Sequence, residues 1–489
     1  MKDFKFLFFI FIILTIYFNH LYSLKLTRPK CAYLNDTKDI IPDNFKSIFL
    51  NNLNLDAELN DLSSTNTIFT NYNNLNLAYN ETSTLLTDIK PTLTIETFDT
   101  INDNEKIIEY SQPKIIKNKI RVLLDEINSK EPNNFFIQSK EGVIIQTLPK
   151  TTSPILLKNK KVYIKVKDDS LYLSNDGQEY KKAKKKEILI KPVKKYFSFN
   201  GKSFNGEVKL LIDEKQNKLF IINNLNLEDY IYSVLRFESY PTWPKDMQKI
   251  QAIASRSYAF HCMRQARIKK IKNPYDIKRS NHHQTYNGKH DAKHLKEAVK
   301  ETTGVILTYD KKPIIAMFDA CCGGVIPANM KNPDFKKAPY LAREERCVFC
   351  KNYTLYHWKK DLLFNSFVNN LKNNPKISDQ INKIGKIYDI KIAEKDKAGV
   401  VHKIKFIGSK KNSIVNGRDF WENQRKTIRS LNFDLKKIND RLIITGNGFG
   451  HQIGLCQRGA RELLNRGWNY KNILKFYYPK TQIAKLKYS

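Results

Sequence analysis

Glycine is scarce in this chain, with 18 in 489 residues, and acidic side chains are outnumbered, 49 Asp and Glu against 84 Lys and Arg. Beyond the N-terminus no apolar run is long enough for a membrane helix, which excludes a polytopic helical membrane protein. The densest glycine cluster, GNGFGHQIGLCQRGA (Gly446–Ala460), is not followed by the Gly-Lys-Ser/Thr of a P-loop. It also breaks the dinucleotide fingerprint, because His451 stands where the third glycine is required. A phosphate cradle is therefore disfavoured. The shortage of acid leaves a net charge of +35, which suits a polyanionic partner: nucleic acid, anionic lipid or acidic wall polymer. No nucleic-acid-binding motif accompanies that charge.

What is present divides the chain into zones. Residues 1–23 carry Lys2 and Lys5 before an unbroken apolar run from Phe6 to Phe18, the pattern of a signal peptide or N-terminal anchor. Either predicts export to the periplasm or cell envelope, with membrane contact only through this segment. Residues 24–116 are rich in Asn and Thr, hold 8 Lys+Arg against 13 Asp+Glu, and sustain no period, which predicts a poorly ordered spacer. Residues 117–225 contain short runs such as KIRVLL, GVIIQTL, KVYIKV, SLYLS and KLFIINN between polar breaks, the signature of an antiparallel β-rich part. Residues 226–489 mix helices and strands. A helix is predicted after Pro244, with Met247, Ile250, Ala254 and Ser257 on its buried face. A hairpin turning at Asp310–Pro313 and a helix closed by Gly467 follow. The fold class expected is α+β, with mainly antiparallel strands and a few helices.

Three groups of residues could carry chemistry. Glu238 lies among Phe237, Tyr240 and Trp243, and apolar aromatic surroundings disfavour an ionised carboxylate, as a general acid requires. Cys321, Cys322, Cys347 and Cys350 combine an adjacent pair with a C-x2-C. A disulfide from Cys322 to Cys347 or Cys350 is the first expectation, and zinc on Cys322, Cys347 and Cys350 the second. The seven cysteines, an odd number, leave at least one unpaired in a monomer. In the glycine cluster His451 and Gln457 are the polar side chains, beside a backbone free to approach a ligand closely.

In order along the chain, LEDYIYSVLRFESYPTWPKDMQKIQAIASRSYAF, QTYNG, TTGVILTYDKKPIIAMFDACCGG, PYL and GNGFGHQIGLCQRGA resemble the stage II sporulation protein D / LytB (amidase enhancer) domain, collinearly over Asp229–Thr481. The resemblance implies peptidoglycan glycan strands as ligand and, in catalytic members, lytic transglycosylation. There the bond between N-acetylmuramic acid and N-acetylglucosamine is cut to leave a 1,6-anhydro end. The motif glutamate falls on Glu238, as single acid/base with no required cofactor. Arg256, Tyr258, Gln284, Tyr286, His451 and Gln457 fall on motif positions and would line the glycan groove. The alternative it implies is a non-catalytic wall-binding enhancer of a separate amidase. The chain departs from the pattern at Ser239-Tyr240, where relatives read Met-Pro, and at Cys456, where they carry Ser. No cysteine stands near His283-Gln284, which puts the metal cluster of the sporulation members in doubt. The nearest second carboxylates for a hydrolase are Asp229 and Asp246.

Overall fold

The computed structural model describes residues 118–487, apart from 149–154, 158–159, 269–272, 281–282 and 423, together with the strand Ile108–Tyr110. The N-terminal signal or anchor and nearly all of the spacer lie outside the described residues. Ile108–Tyr110 pairs in parallel with the C-terminal strand Gln482–Leu486, so the folded body begins before residue 117.

Every β run quoted above forms a strand, and the expected α+β class holds. Among the described residues these strands build a seven-stranded and a six-stranded sheet. The central strand Lys218–Asn226 pairs antiparallel with Lys119–Asn128 on one side and Glu207–Asp213 on the other. Strict alternation decides which face is inside: in Lys161–Lys167, Val162, Ile164 and Val166 are buried while lysines alternate outward. Both sheets share one core with Phe197, Phe199 and Phe204 at its centre. Each such fully buried side chain contributes about 1.5–3 kcal/mol from burial.

Helix α1 (Leu227–Glu238) leaves that core directly. Asn226 caps it by accepting the Glu228 amide at 2.8 Å, and Leu227, Tyr230, Ile231, Val234 and Leu235 bury a single stripe. Helix α2 (Lys245–Ile268) follows, with Pro244 immediately before it. Its predicted face is buried, but so are Ala252, Ile253, Ala259, Phe260 and Met263, so α2 is a central helix buried nearly all round. The expected hairpin is present: Val305–Tyr309 pairs with Lys312–Pro313 across Asp310 and Lys311, both at positive φ.

The C-terminal half contains a feature absent from the sequence reading. Residues 357–447 form a lobe with its own core around Phe367, Phe406, Phe420 and Ile444. It leaves and returns through one antiparallel pair, His357–Leu363 with Arg441–Asn447. A second core, containing Ile250, Leu307, Leu455 and Tyr477, joins α2 to the helix Gln457–Asn465, called α3 here.

Candidate active site

Glu238 is the last residue of α1, where the helix carbonyls have run out of partners within the helix. Two contacts fix it from outside. Its Oε1 accepts the backbone N–H of Thr285, and its main-chain carbonyl accepts Nε2 of Gln457 at 2.5 Å. Gln457 is 219 residues away and opens α3. The chain next turns outward: Ser239 is buried and its hydroxyl donates to Gln248 Oε1 at 2.9 Å, while Tyr240 emerges to solvent. Gln248 returns a bond from Nε2 to the Tyr240 carbonyl at 2.7 Å. The half-buried Glu238 is thus held in place by amide groups.

The expected aromatic pocket takes another form. Phe237 is 44% exposed, and Tyr240 packs against Trp243 with centroids 4.8 Å apart and the ring planes tilted by 37°. The Arg458 guanidinium lies 4.7 Å from the Tyr240 ring, 5.2 Å from Trp243 and 4.3 Å from Tyr353. This aromatic ledge, with an embedded cation, adjoins the end of α1. The structure therefore supplies stacking rings beside Glu238 in place of an apolar enclosure.

The other motif residues sort into two classes. Arg256 is fully buried and paired bidentately with Glu228, at 2.9 Å from Nε to Oε1 and 2.7 Å from Nη2 to Oε2. Gln284 is also fully buried, accepting the Tyr230 hydroxyl at 3.0 Å and donating to the Ser255 carbonyl at 3.3 Å. Tyr286 lies beneath the sheet, its hydroxyl donating to Asn223 Oδ1 at 2.7 Å and its ring against Tyr230. The expectation that these three line a groove is corrected: each polar group is satisfied inside the protein. Gln457 is buried too, bonded to Glu238 and to Gln251 Oε1 at 3.1 Å, so it supports the site from behind. For Tyr258, burial first, then the Cys262 thiol and the Glu238 carboxylate, push the phenol up.

His451 is occupied within its own loop. Its Nδ1 accepts the Ile453 amide at 3.1 Å, and the imidazole also bonds to the Phe318 backbone. Desolvation pushes its pKa down to about 4, so it is neutral at pH 7. Asp319 lies 3.8 Å away, and burial raises that carboxyl well above the usual range while it accepts the Gln452 amide. The loop's glycines are needed for this packing. A Cβ on Gly450, at φ +125°, would sit 2.4 Å from Asp319 Cβ, and one on Gly448 would sit 2.7 Å from the Cys321 carbonyl.

Neither of the two carboxylates expected as hydrolase partners is placed to complete a pair with Glu238. Asp229 lies nine residues earlier on α1, about 13 Å along the axis and on the opposite face. Asp246 is exposed and paired with Lys249 at 3.1 Å. The sequence reading missed Thr285, Gln248 and Gln251. The clue was two glutamines three residues apart on a helix face otherwise lined by small and apolar residues.

The expected disulfide from Cys322 to Cys347 or Cys350 is not formed here. All six described cysteines are thiols, and the Sγ atoms of Cys322 and Cys350 stand 3.7 Å apart. Cys456, which the sequence reading left out of this group, lies among them.

Residues 215–309, which hold α1, α2 and the Thr285 segment, match the model described as Stage II sporulation protein. Residues 341–454, which include the inserted lobe, match a domain of unknown function (DUF8618). An uncharacterized protein of Brachyspira hyodysenteriae is 31% identical over 74% of this chain and 92% of its own length. Stage II sporulation protein D of Bacillus subtilis is 26% identical over 54% of the chain and 76% of its own. The amidase enhancer of Bacillus subtilis is 24% identical over 65% of the chain and 51% of its own. The chain belongs to the stage II sporulation protein D / LytB family.

Proposed function

We propose that this protein is an exported, cell-wall-acting lytic transglycosylase that cleaves peptidoglycan glycan strands with Glu238 as its single acid/base. The observation carrying this reading is a carboxylate anchored at both ends, beside an aromatic ledge, with the two nearest acids in sequence placed elsewhere, Asp229 on the opposite face of α1 and Asp246 paired with Lys249. A water-using glycosidase needs two carboxyl groups about 5–9.5 Å apart. A transglycosylase needs one, because the sugar supplies its own nucleophile.

The Thr285 amide occupies Oε1, leaving Oε2 to carry the transferable proton. In the first step Oε2–H protonates the glycosidic oxygen, the C1–O bond breaks, and positive charge develops on the muramyl ring. The carboxylate then accepts the proton of the C6 hydroxyl as that oxygen bonds to C1, closing the 1,6-anhydro ring and restoring Glu238–H. Water is not consumed. Tyr240 and Phe237 offer exposed ring faces for sugar stacking. The +35 charge favours an anionic wall.

Glu238→Gln should abolish release of anhydro-ended muropeptides from purified sacculi while binding persists. Undiminished release by this variant would remove Glu238 from the role. The burial of Arg256, Gln284, Tyr286 and Gln457 favours a second reading, a wall-binding enhancer of a separate amidase, since few polar side chains are left to grip sugar. That reading stands if the wild type sediments with sacculi, stimulates an amidase and yields no anhydro ends.

A further inference from the structure

Away from Glu238, four cysteines from three separate segments converge. Cys322 follows the short strand Phe318–Asp319, Cys347 and Cys350 lie on one turn, and Cys456 ends the strand Leu455–Cys456, paired in parallel with Phe318–Asp319. Their four Sγ atoms lie within 4.8 Å of one another, and none of the residues is more than 1% exposed. We propose that Cys322, Cys347, Cys350 and Cys456 bind a single tetrahedral zinc ion that locks the glycine-rich loop and α3 to the body of the protein.

Three observations support this. The first is spacing. Zinc–sulfur bonds of about 2.3 Å make each edge of a ZnS4 tetrahedron about 3.8 Å, and the measured Cys322–Cys350 edge is 3.7 Å. Four sulfurs that all neighbour one another suit one ion, whereas a cluster spreads its thiolates over several irons. The second is hydrogen bonding. Cys456 Sγ accepts the Cys322 amide at 3.2 Å and the Gly459 amide at 3.4 Å. Cys456 is the N-cap of α3, where the helix dipole favours negative charge. The Tyr477 hydroxyl meets Cys347 Sγ at 3.2 Å, and the Arg343 guanidinium lies 5.7 Å from that ring. These contacts suit metal-bound thiolates, whose charge they spread.

The third observation is close fit. A Cβ on Gly459 would stand 2.7 Å from Cys347 Sγ and 2.2 Å from the Tyr477 hydroxyl, so α3 approaches the cluster as only glycine allows. Gln457, the residue after Cys456, holds the Glu238 carbonyl. The metal would act on the site by fixing α3; it touches no substrate.

The test uses the full chain, purified without added metal. Elemental analysis should find about one zinc per chain, and X-ray absorption should give four sulfurs at about 2.3 Å. Cobalt in place of zinc should show the intense visible bands of a tetrahedral thiolate site. Cys456→Ser and Cys322→Ser should each lose most of the metal, while Cys262→Ser, a remote cysteine, keeps it. If Cys456→Ser fails to fold, the wild-type zinc content and sulfur count still decide the matter. A metal-free protein with disulfides among these residues, with free thiols, or with an iron–sulfur cluster would overturn the proposal. So would loss of metal in Cys321→Ser with retention in Cys456→Ser. None of these readouts depends on glycan cleavage, so failure here leaves the role of Glu238 standing.

Discussion

Replacing Arg256 with Met distinguishes a structural cation from a substrate contact. The wild-type guanidinium is fully buried, spends two bonds on Glu228 and a third on the Val305 carbonyl at 3.1 Å. Met preserves most of the apolar stem, so the change removes chiefly the charge and its hydrogen bonds. Glu228 would lose its charge partner while still accepting the Gly304 amide, at 3.1 Å. Breaking a buried pair by removing one partner costs about 3–5 kcal/mol. Because the Glu228 side chain is 20% exposed, water can share the load, and the lower end, about 3 kcal/mol, is expected. Glu228→Gln added to Arg256→Met should recover about 2 kcal/mol, because no isolated charge then remains. Equilibrium urea unfolding of wild type, both single variants and the double variant measures the coupling. A loss below about 1 kcal/mol in Arg256→Met, or strict additivity in the double variant, would refute the structural assignment.

Other substitutions probe the glycine-rich loop and α3. Gly450→Ala should destabilise by about 2–3 kcal/mol through its clash with Asp319, whereas Gly467→Ala, with open space around its Cβ, should cost about 1 kcal/mol for its positive φ alone; equal losses in thermal unfolding would contradict this. For His451 the folded pKa of about 4 lies below the unfolded 6.5, so the unfolded chain binds more protons between those values. Its share of stability is complete above pH 6.5 and declines as pH falls toward 4. His451→Asn should remove that slope in urea unfolding, and an unchanged slope would exclude His451 as its source. Gln457→Leu frees the Glu238 carbonyl and should lower turnover of sacculi about tenfold with binding unchanged; weakened binding at unchanged turnover would instead make Gln457 a sugar ligand.

The β-rich part was legible because alternation survives in nearly every strand, as in KVYIKV, and the helices because their caps and apolar stripes agree. Glu238 could be placed at the end of α1 by its motif, but its surroundings could not. A buried arginine and a groove arginine look alike in one sequence, since the difference lies in a partner such as Glu228, 28 residues away. The same holds for Gln284 and Tyr286, whose polar atoms are answered by Tyr230, Ser255 and Asn223. Cys456 escaped notice because 134 residues separate it from Cys322. The lobe at 357–447 left no compositional step at its borders; only its separate core reveals it.

That lobe bears on the order of assembly. Its two ends meet where Trp358 Nε1 donates to the Gly448 carbonyl at 2.8 Å and the Gly448 amide donates to the Tyr356 carbonyl at 2.9 Å. An unfolded lobe would leave Trp358 and Gly448 joined by a tether spanning 90 positions. A folded lobe shrinks the tether to the span of one strand pair, roughly four halvings of its length, or about 2.4 kcal/mol of closure entropy. If the lobe folds first, the glycine-rich loop reaches Tyr356 as though it were a near neighbour in sequence. Mutations deep in the lobe, far from Glu238 in sequence, would then slow maturation of the protein without changing the finished site.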